Sequence, residues 1–174
     1  IGVANALDNI IEAADIVARR APSIAVVIVG NGKDRERLKS IAASRQLTNV
    51  RFIDAIPKAQ IPDMLSRFDA CYIGLTPDPL FRFGVSPNKL FDYMAAGKPI
   101  VYAIDSGDYR PVDESGCGIQ APPGNPEALA EAILEMARIP LAEREAMGAR
   151  GRKAAIEHYE YGKLAEQLER VLLA

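Results

Sequence analysis

The 174-residue chain has a single histidine, His158, and two cysteines, Cys71 and Cys117, set in apolar or glycine-rich surroundings without ligand-like spacing. That scarcity argues against a zinc site and against a disulfide framework. Neither sign of charge is in excess, with 21 lysines and arginines against 23 aspartates and glutamates for a net charge of −2. Such a surface has no global field to recruit nucleic acid or an anionic membrane, so a partner has to be held by a local site. The chain also lacks the apolar run of about 18 to 20 residues that a membrane helix needs, and it has no basic-then-apolar signal segment at its start. It therefore reads as soluble and cytosolic. His158, beside Tyr159 and Tyr161 near the end of a predicted helix, reads as a surface or helix-capping residue with no catalytic part.

What is present suits one ordinary domain spanning residues 1–174, with 49% apolar and 25% charged residues to build and solvate a sizeable core. Leu7, Ile10, Ile11, Ala14, Val17 and Ala18 recur at helical spacing over 6–20. The almost unbroken β-branched run at 24–29 follows, the composition of a strand covered on both faces. Gly30-Asn31-Gly32 turns the chain into a second helix over 33–46, whose mixed charges at 33–39 read as a solvated face. Strands at 50–53, 70–75 and 99–104 alternate with helices at 58–68 and 88–96. This alternation predicts an α/β fold, a Rossmann-like parallel sheet with helices on both faces. The sheet ends by about residue 120, and helices at 126–138, 141–158 and 161–173 complete the chain. There is no internal repeat, low-complexity tract or linker, and the long irregular segment is 76–87.

Ligands of open parallel sheets bind beyond the carboxyl ends of the strands, which directs attention to the loops at 30–33, 54–58, 76–89 and 105–110. At Gly30, Asn31 and Gly32 the two glycines either let a ligand meet helix N–H groups or simply make a tight turn. Ser86 and Pro87 have the character of an N-cap and a first helical residue. Lys89 then falls in the first turn, where a cation opposes the helix dipole by about 0.3 to 1 kcal/mol unless an anion offsets it. A bound phosphate is one account of this, and an i,i+3 pair with Asp92 is the other. Gly97 and Pro99 read as the helix stop and the exit into the next strand. Phe81 and Phe83 either stack on a ligand or pin their loop, and Arg82 and Arg110 either reach phosphate or lie at the surface.

The run Lys89-Leu90-Phe91-Asp92-Tyr93-Met94-Ala95-Ala96-Gly97-Lys98-Pro99-Ile100-Val101 resembles the signature region of family-four retaining glycosyltransferases of the GT-B fold, in their bacterial surface-polysaccharide branch. The likeness covers nearly the whole chain: the first helix, Val27-Ile28-Val29-Gly30-Asn31-Gly32, the next two strands, and closing motifs that include Met147-Gly148-Ala149-Arg150-Gly151-Arg152. It implies the C-terminal, donor-binding domain of an enzyme that moves a sugar from a UDP- or GDP-linked donor to a glycan or lipid-linked acceptor. The implied roles are Asp92 on the ribose hydroxyls, Val85 and Ser86 at the diphosphate, and Gly32 with the segment from Phe52 and Ile53 to Ile56 near the base. Asn88 is a candidate contact to sugar or phosphate, and Lys89 is the candidate catalytic cation that stabilises the leaving diphosphate.

Two departures from the pattern carry expectations of their own. Gly84 stands where the family has a glutamate that contacts the donor sugar, so that role has no holder there. The resemblance also implies an N-terminal domain with the acceptor site, which this chain does not include, so the chain is expected to bind donor weakly and not to transfer sugar alone. No Asp-x-Asp motif is present, and neither metal nor cofactor is expected. Any membrane contact is assigned to the part outside the chain, at the inner face of the plasma membrane. The rival readings are a sugar-nucleotide epimerase and a non-catalytic α/β nucleotide-binding or regulatory module.

Overall fold

The computed structural model describes residues 2 and 5–173, with the backbone but not the side chain of Arg82. The elements run α1 (Leu7–Arg20), β1 (Val26–Val29), α2 (Arg35–Ser44), β2 (Val50–Ile53), α3 (Ile61–Ser66), β3 (Cys71–Gly74), α4 (Asn88–Ala95) and β4 (Ile100–Ala103). They continue with α5 (Pro111–Ser115), β5 (Gly118–Gln120), α6 (Pro126–Arg138), α7 (Leu141–His158) and α8 (Tyr161–Leu172).

The alternation expected of the sequence is present, with shorter elements. Helix α2 starts only at Arg35, because Lys33 and Asp34 are spent in the turn, and the stretch 58–68 is a 3-10 turn followed by α3. Pro62 in the first turn of α3 has no N–H to give, which sets the start of the α-helix there. Within 76–87, Asp78 accepts the Leu80 N–H at 2.8 Å and starts a 3-10 turn over Pro79–Phe83. Helix α5 is an addition to the sequence reading: Pro111 opens it and Gly116 closes it, leaving too few residues for a periodic signal.

All strand pairs are parallel, with Val26 opposite Val50 in one pair, and Cys71 opposite Ile100 and Ile100 opposite Gly118 in the other sheet. Among the described residues the hydrogen bonds form two sheets, β1-β2 and β3-β4-β5. Helices α1, α2 and α6 cover one side, where Ile10, Val17, Ile28, Leu38, Val101, Ala103 and Leu129 form one core. On the other side α4, α5 and α7 bury Ile73, Leu90, Met94, Ile100, Tyr102, Val112 and Cys117 in a second. The residues of β4 alternate between these two cores, and all four are buried. Helix α8 packs chiefly on α7 and leaves Leu164, Leu168 and Val171 exposed. No helix is long and apolar enough to cross a membrane.

Helix α4 ends as its sequence predicts. Gly97 takes a φ of +66°, and a pair of hydrogen bonds, Lys98 N–H to Tyr93 O at 3.1 Å and Gly97 N–H to Met94 O at 2.9 Å, closes a Schellman motif. Against this stop lies the middle of α7. A Cβ on Gly148 would stand 1.9 Å from Gly97 O, and one on Gly151 would stand 2.9 Å from Cys117 Cβ. Arg150, between them, donates from Nε to Gly116 O at 2.8 Å and so ties α7 to the end of α5. The motif at 147–152 is therefore a close-packing device.

Gly148→Ala is expected to lower unfolding stability by about 1 to 3 kcal/mol, because backbone cannot yield to the added methyl as a side chain would. Gly97→Ala, which has room but requires a left-handed φ, is expected to lose only about 1 kcal/mol. Equilibrium denaturant titration checks both, and an unchanged midpoint for Gly148→Ala would contradict the packing argument.

Candidate functional site

The carboxyl ends of β1 and β2 meet through one bond: Gly30 N–H donates to Ile53 O at 3.0 Å. That bond makes Ile53 a backbone partner of the glycine turn while its side chain lies exposed, and Phe52 turns inward against the core. Asn31 and Gly32 form the exposed tip of the turn. Here the structure adds a residue that the sequence reading left on a solvated face. Arg35 at the start of α2 has only 14% of its side chain exposed and reaches Asp54, just beyond β2, at 2.7 Å. An arginine inside a run of mixed charges carries no local signal of burial, so sequence alone could not single it out.

At α4 the placement of the cap differs from expectation. Pro87, with φ −66° and ψ 126°, occupies the N-cap position itself, the helix begins at Asn88, and no side chain caps it. The proline ring disfavours a helical conformation for the residue before it, which puts Ser86 outside the helix and one position too early to cap. Its hydroxyl is therefore not used on the helix, and Ser86 and Asn88 are exposed beside a half-buried Val85. Leu90 N–H donates back to Pro87 O at 2.9 Å, and the N–H groups of Asn88 and Lys89 are left for solvent or a ligand, with the dipole behind them. Gly84 has a φ of +102° and nothing within 4 Å of a built Cβ, so conformation rather than crowding calls for glycine there.

Lys89 is half-buried, and its Nζ donates to Asn5 Oδ1 at 2.7 Å. The i,i+3 pair with Asp92 is therefore not the arrangement found: Asp92 is exposed, and the ammonium turns to the segment before α1 instead. Burial lowers the Lys89 pKa, and among the described residues no carboxylate pairs with it to offset this. Asn5 N–H donates to Gly2 O at 3.0 Å, and Asn5 is followed by Ala6, a non-glycine residue at φ +47°. The structure thus gathers Lys89, Asn88, Ser86 and the start of α4 with a residue outside the sequence-derived set, Asn5.

Other candidates are accounted for elsewhere. Arg110 pairs with Asp113 in its own helix turn, and the Arg82 side chain lies outside the described residues. Phe81 lines a cavity of about 360 Å³ with Leu75, Thr76, Asp78, Ile104 and Pro123, while Phe83 is 76% exposed. Both cysteines are free and buried, and burial pushes the Cys71 thiol up to about 12, which keeps it protonated and inert. His158 is exposed, with its ring set edgewise to Tyr159 at 6.3 Å.

Residues 4–154 match the family described as glycosyl transferases group 1, and the chain belongs to that family. It is 30% identical over 143 residues to the probable glycosyltransferase WbjE of Pseudomonas aeruginosa, a match that takes in 81% of this chain and 35% of that protein. The chain thus spans about a third of the length of this curated relative. Its α/β fold is that of part of the GT-B glycosyltransferases, of which it spans less than half. S. aureus TarM, solved with UDP, superposes with a TM-score of 0.81 at 17% identity over 100% of this chain and 34% of its own. Anabaena HepE, solved with UDP-glucose, superposes with a TM-score of 0.79 at 18% identity over 99% and 46%.

Holding an ammonium half-buried against a neutral amide works against folding. Lys89→Met, which keeps the length and removes the charge, is expected to unfold at the same or a higher denaturant concentration than the parent at pH 7. The sign follows from linkage: with its pKa lowered in the folded state, Lys89 destabilises the fold fully while both states are protonated. As pH rises from the lowered value to the ordinary lysine range, the folded chain gives up its proton first and the penalty fades. The advantage of methionine should therefore shrink over that window, and a clear loss of stability at pH 7 would contradict the reading.

Proposed function

We propose that this chain is the donor-binding domain of a retaining glycosyltransferase that moves a sugar, of hexose type, from a UDP- or GDP-linked donor to a glycan or lipid-linked acceptor in cell-surface polysaccharide synthesis. The observation that carries the reading is Lys89: a half-buried ammonium without a carboxylate partner, in the first turn of an uncapped helix, within a group 1 glycosyltransferase fold. A cation so placed opposes the helix dipole and is stabilised only when an anion arrives.

In this reading the donor diphosphate lies at the start of α4, against the backbone at Val85 and Ser86 and beside Asn88 and Lys89. Asp92, one turn on, accepts hydrogen bonds from the ribose hydroxyls through its two carboxylate oxygens. The base rests near Gly30, Asn31 and Gly32, with the backbone of Phe52 and Ile53 behind them. As the bond from the anomeric carbon to the diphosphate breaks, its electron pair passes to the leaving oxygen. The Lys89 ammonium and the helix N–H groups stabilise the charge that develops there. An interaction that strengthens as charge builds lowers the barrier rather than only tightening binding.

The acceptor and the second wall of the cleft belong, in this proposal, to an N-terminal domain outside this chain, as does any contact with the inner face of the plasma membrane. The protein works in the cytoplasm and needs no metal or cofactor. Family membership favours transfer over the epimerase and regulatory readings.

Calorimetric titration with UDP, GDP and ADP tests the proposal. One diphosphate is expected to bind, and Asp92→Ala should weaken it about tenfold or more, the worth of a hydrogen bond to a charged group. Lys89→Met is expected to weaken the free diphosphate more than the intact nucleotide sugar, because the free form carries the charge of the departed group. Turnover of a nucleotide sugar by this chain alone, or equal loss for the two ligands, would count against it.

A further inference from the structure

The partner of Lys89 is an asparagine 84 residues away in sequence, and its chemistry is informative. Asn5 Oδ1 accepts from Lys89 Nζ at 2.7 Å, while Asn5 Nδ2 donates to Gly2 O at 3.3 Å and the Asn5 backbone N–H donates to the same carbonyl at 3.0 Å. Both ends of the amide are thus fixed. An aspartate in this place would pair with Lys89 and cancel its charge, whereas an asparagine accepts one hydrogen bond and cancels nothing.

Among the described residues, no acidic group of the neighbouring elements pairs with Lys89. Asp8, in the first turn of α1, pairs with Arg37 through both carboxylate oxygens at 2.6 and 2.8 Å, and Asp34, ahead of α2, lies 3.5 Å from the same guanidinium. Asp54 is held by Arg35, and Asp92 is exposed. Lys89 therefore keeps an uncompensated positive charge in a fixed place.

We infer that Asn5 is a positioning residue for diphosphate recognition: its side-chain carbonyl holds the Lys89 ammonium at the start of α4 and, being uncharged, leaves the whole of that charge for the donor's phosphate groups. The inference rests on the donor-site reading of Lys89. It assigns to the segment before α1 a part in recognition that its lack of pattern conceals. It also accounts for the acceptance of a left-handed alanine at position 6, which directly follows Asn5.

The test titrates inorganic pyrophosphate and UDP into the parent chain and into Asn5→Asp, Asn5→Ala, Lys89→Met and the Asn5→Ala/Lys89→Met pair, with thermal unfolding measured alongside. Asn5→Asp is expected to fold at least as stably as the parent, because it gains an ion pair, and yet to bind pyrophosphate about tenfold or more weakly. Asn5→Ala should weaken binding severalfold in the parent and not at all in the Lys89→Met background, the mark of a residue that acts through the lysine. A role confined to tying the first turn to α4 predicts the reverse order, with Asn5→Asp binding as the parent does. Parental binding with an unaffected Asn5→Asp overturns the role of Asn5 and leaves the donor site standing. Failure of the parent to bind either probe overturns both.

Discussion

Everything in this domain is organised around the burial of β4 on both faces. Ile100 and Tyr102 point into one core, Val101 and Ala103 into the other, and none of the four meets solvent. A strand in that position forces helices onto both sides of its sheet, since neither apolar row can be left in water. Helices α1 and α6 answer on one side, α4 and α7 on the other. Because parallel strands all send their carboxyl ends to one edge, the loops that follow them open together. The site is thus a by-product of how the core is satisfied.

At that edge the balance of forces changes. Away from it, several cations are matched by anions: Arg37 with Asp8, Arg19 with Asp15, Arg67 with Asp63. Among the described residues of the site, Lys89 is drawn out of water with an amide oxygen in place of a carboxylate as its partner. Buried cations are tolerated only where partners satisfy them, and a single amide oxygen is a thin form of satisfaction. A fold stabilised elsewhere by ordinary burial can carry one such deficit, and it carries it where a negatively charged ligand would remove it.

Much of the architecture was legible in the sequence because its signals are local. The β-branched runs around Ile28 and Ile100, the apolar stripe of Ile10, Ile11, Ala14 and Val17, and the Gly97-Lys98-Pro99 stop each depend on a few neighbouring residues, and each is found close to where the pattern puts it. Short elements were not legible: α5 has one turn and a half, less than periodicity can register. Within the site, local rules misplaced two details. Ser86 has the chemistry of a cap, but the proline after it takes the cap position. Lys89 and Asp92 have the spacing of a pair, but a tertiary partner competes for the lysine and wins. Neither Asn5 nor the sequestered Arg35 could be found by spacing, since each is defined by a contact that only folding creates.

The close crossing of Gly97 and Gly148 has a mechanical side. Helix α4 is clamped at its carboxyl end, where backbone meets backbone, and it carries Lys89 near the other end. It is a short rigid arm on a fixed bearing. Eight residues of helix make an arm of about 12 Å, so a tilt of only about 5° at the bearing swings the lysine by about 1 Å. A displacement of that size is enough to spoil the alignment of a catalytic group. In the proposed mechanism, the tolerances of the chemistry at the start of α4 are therefore set by two glycines packed at its far end.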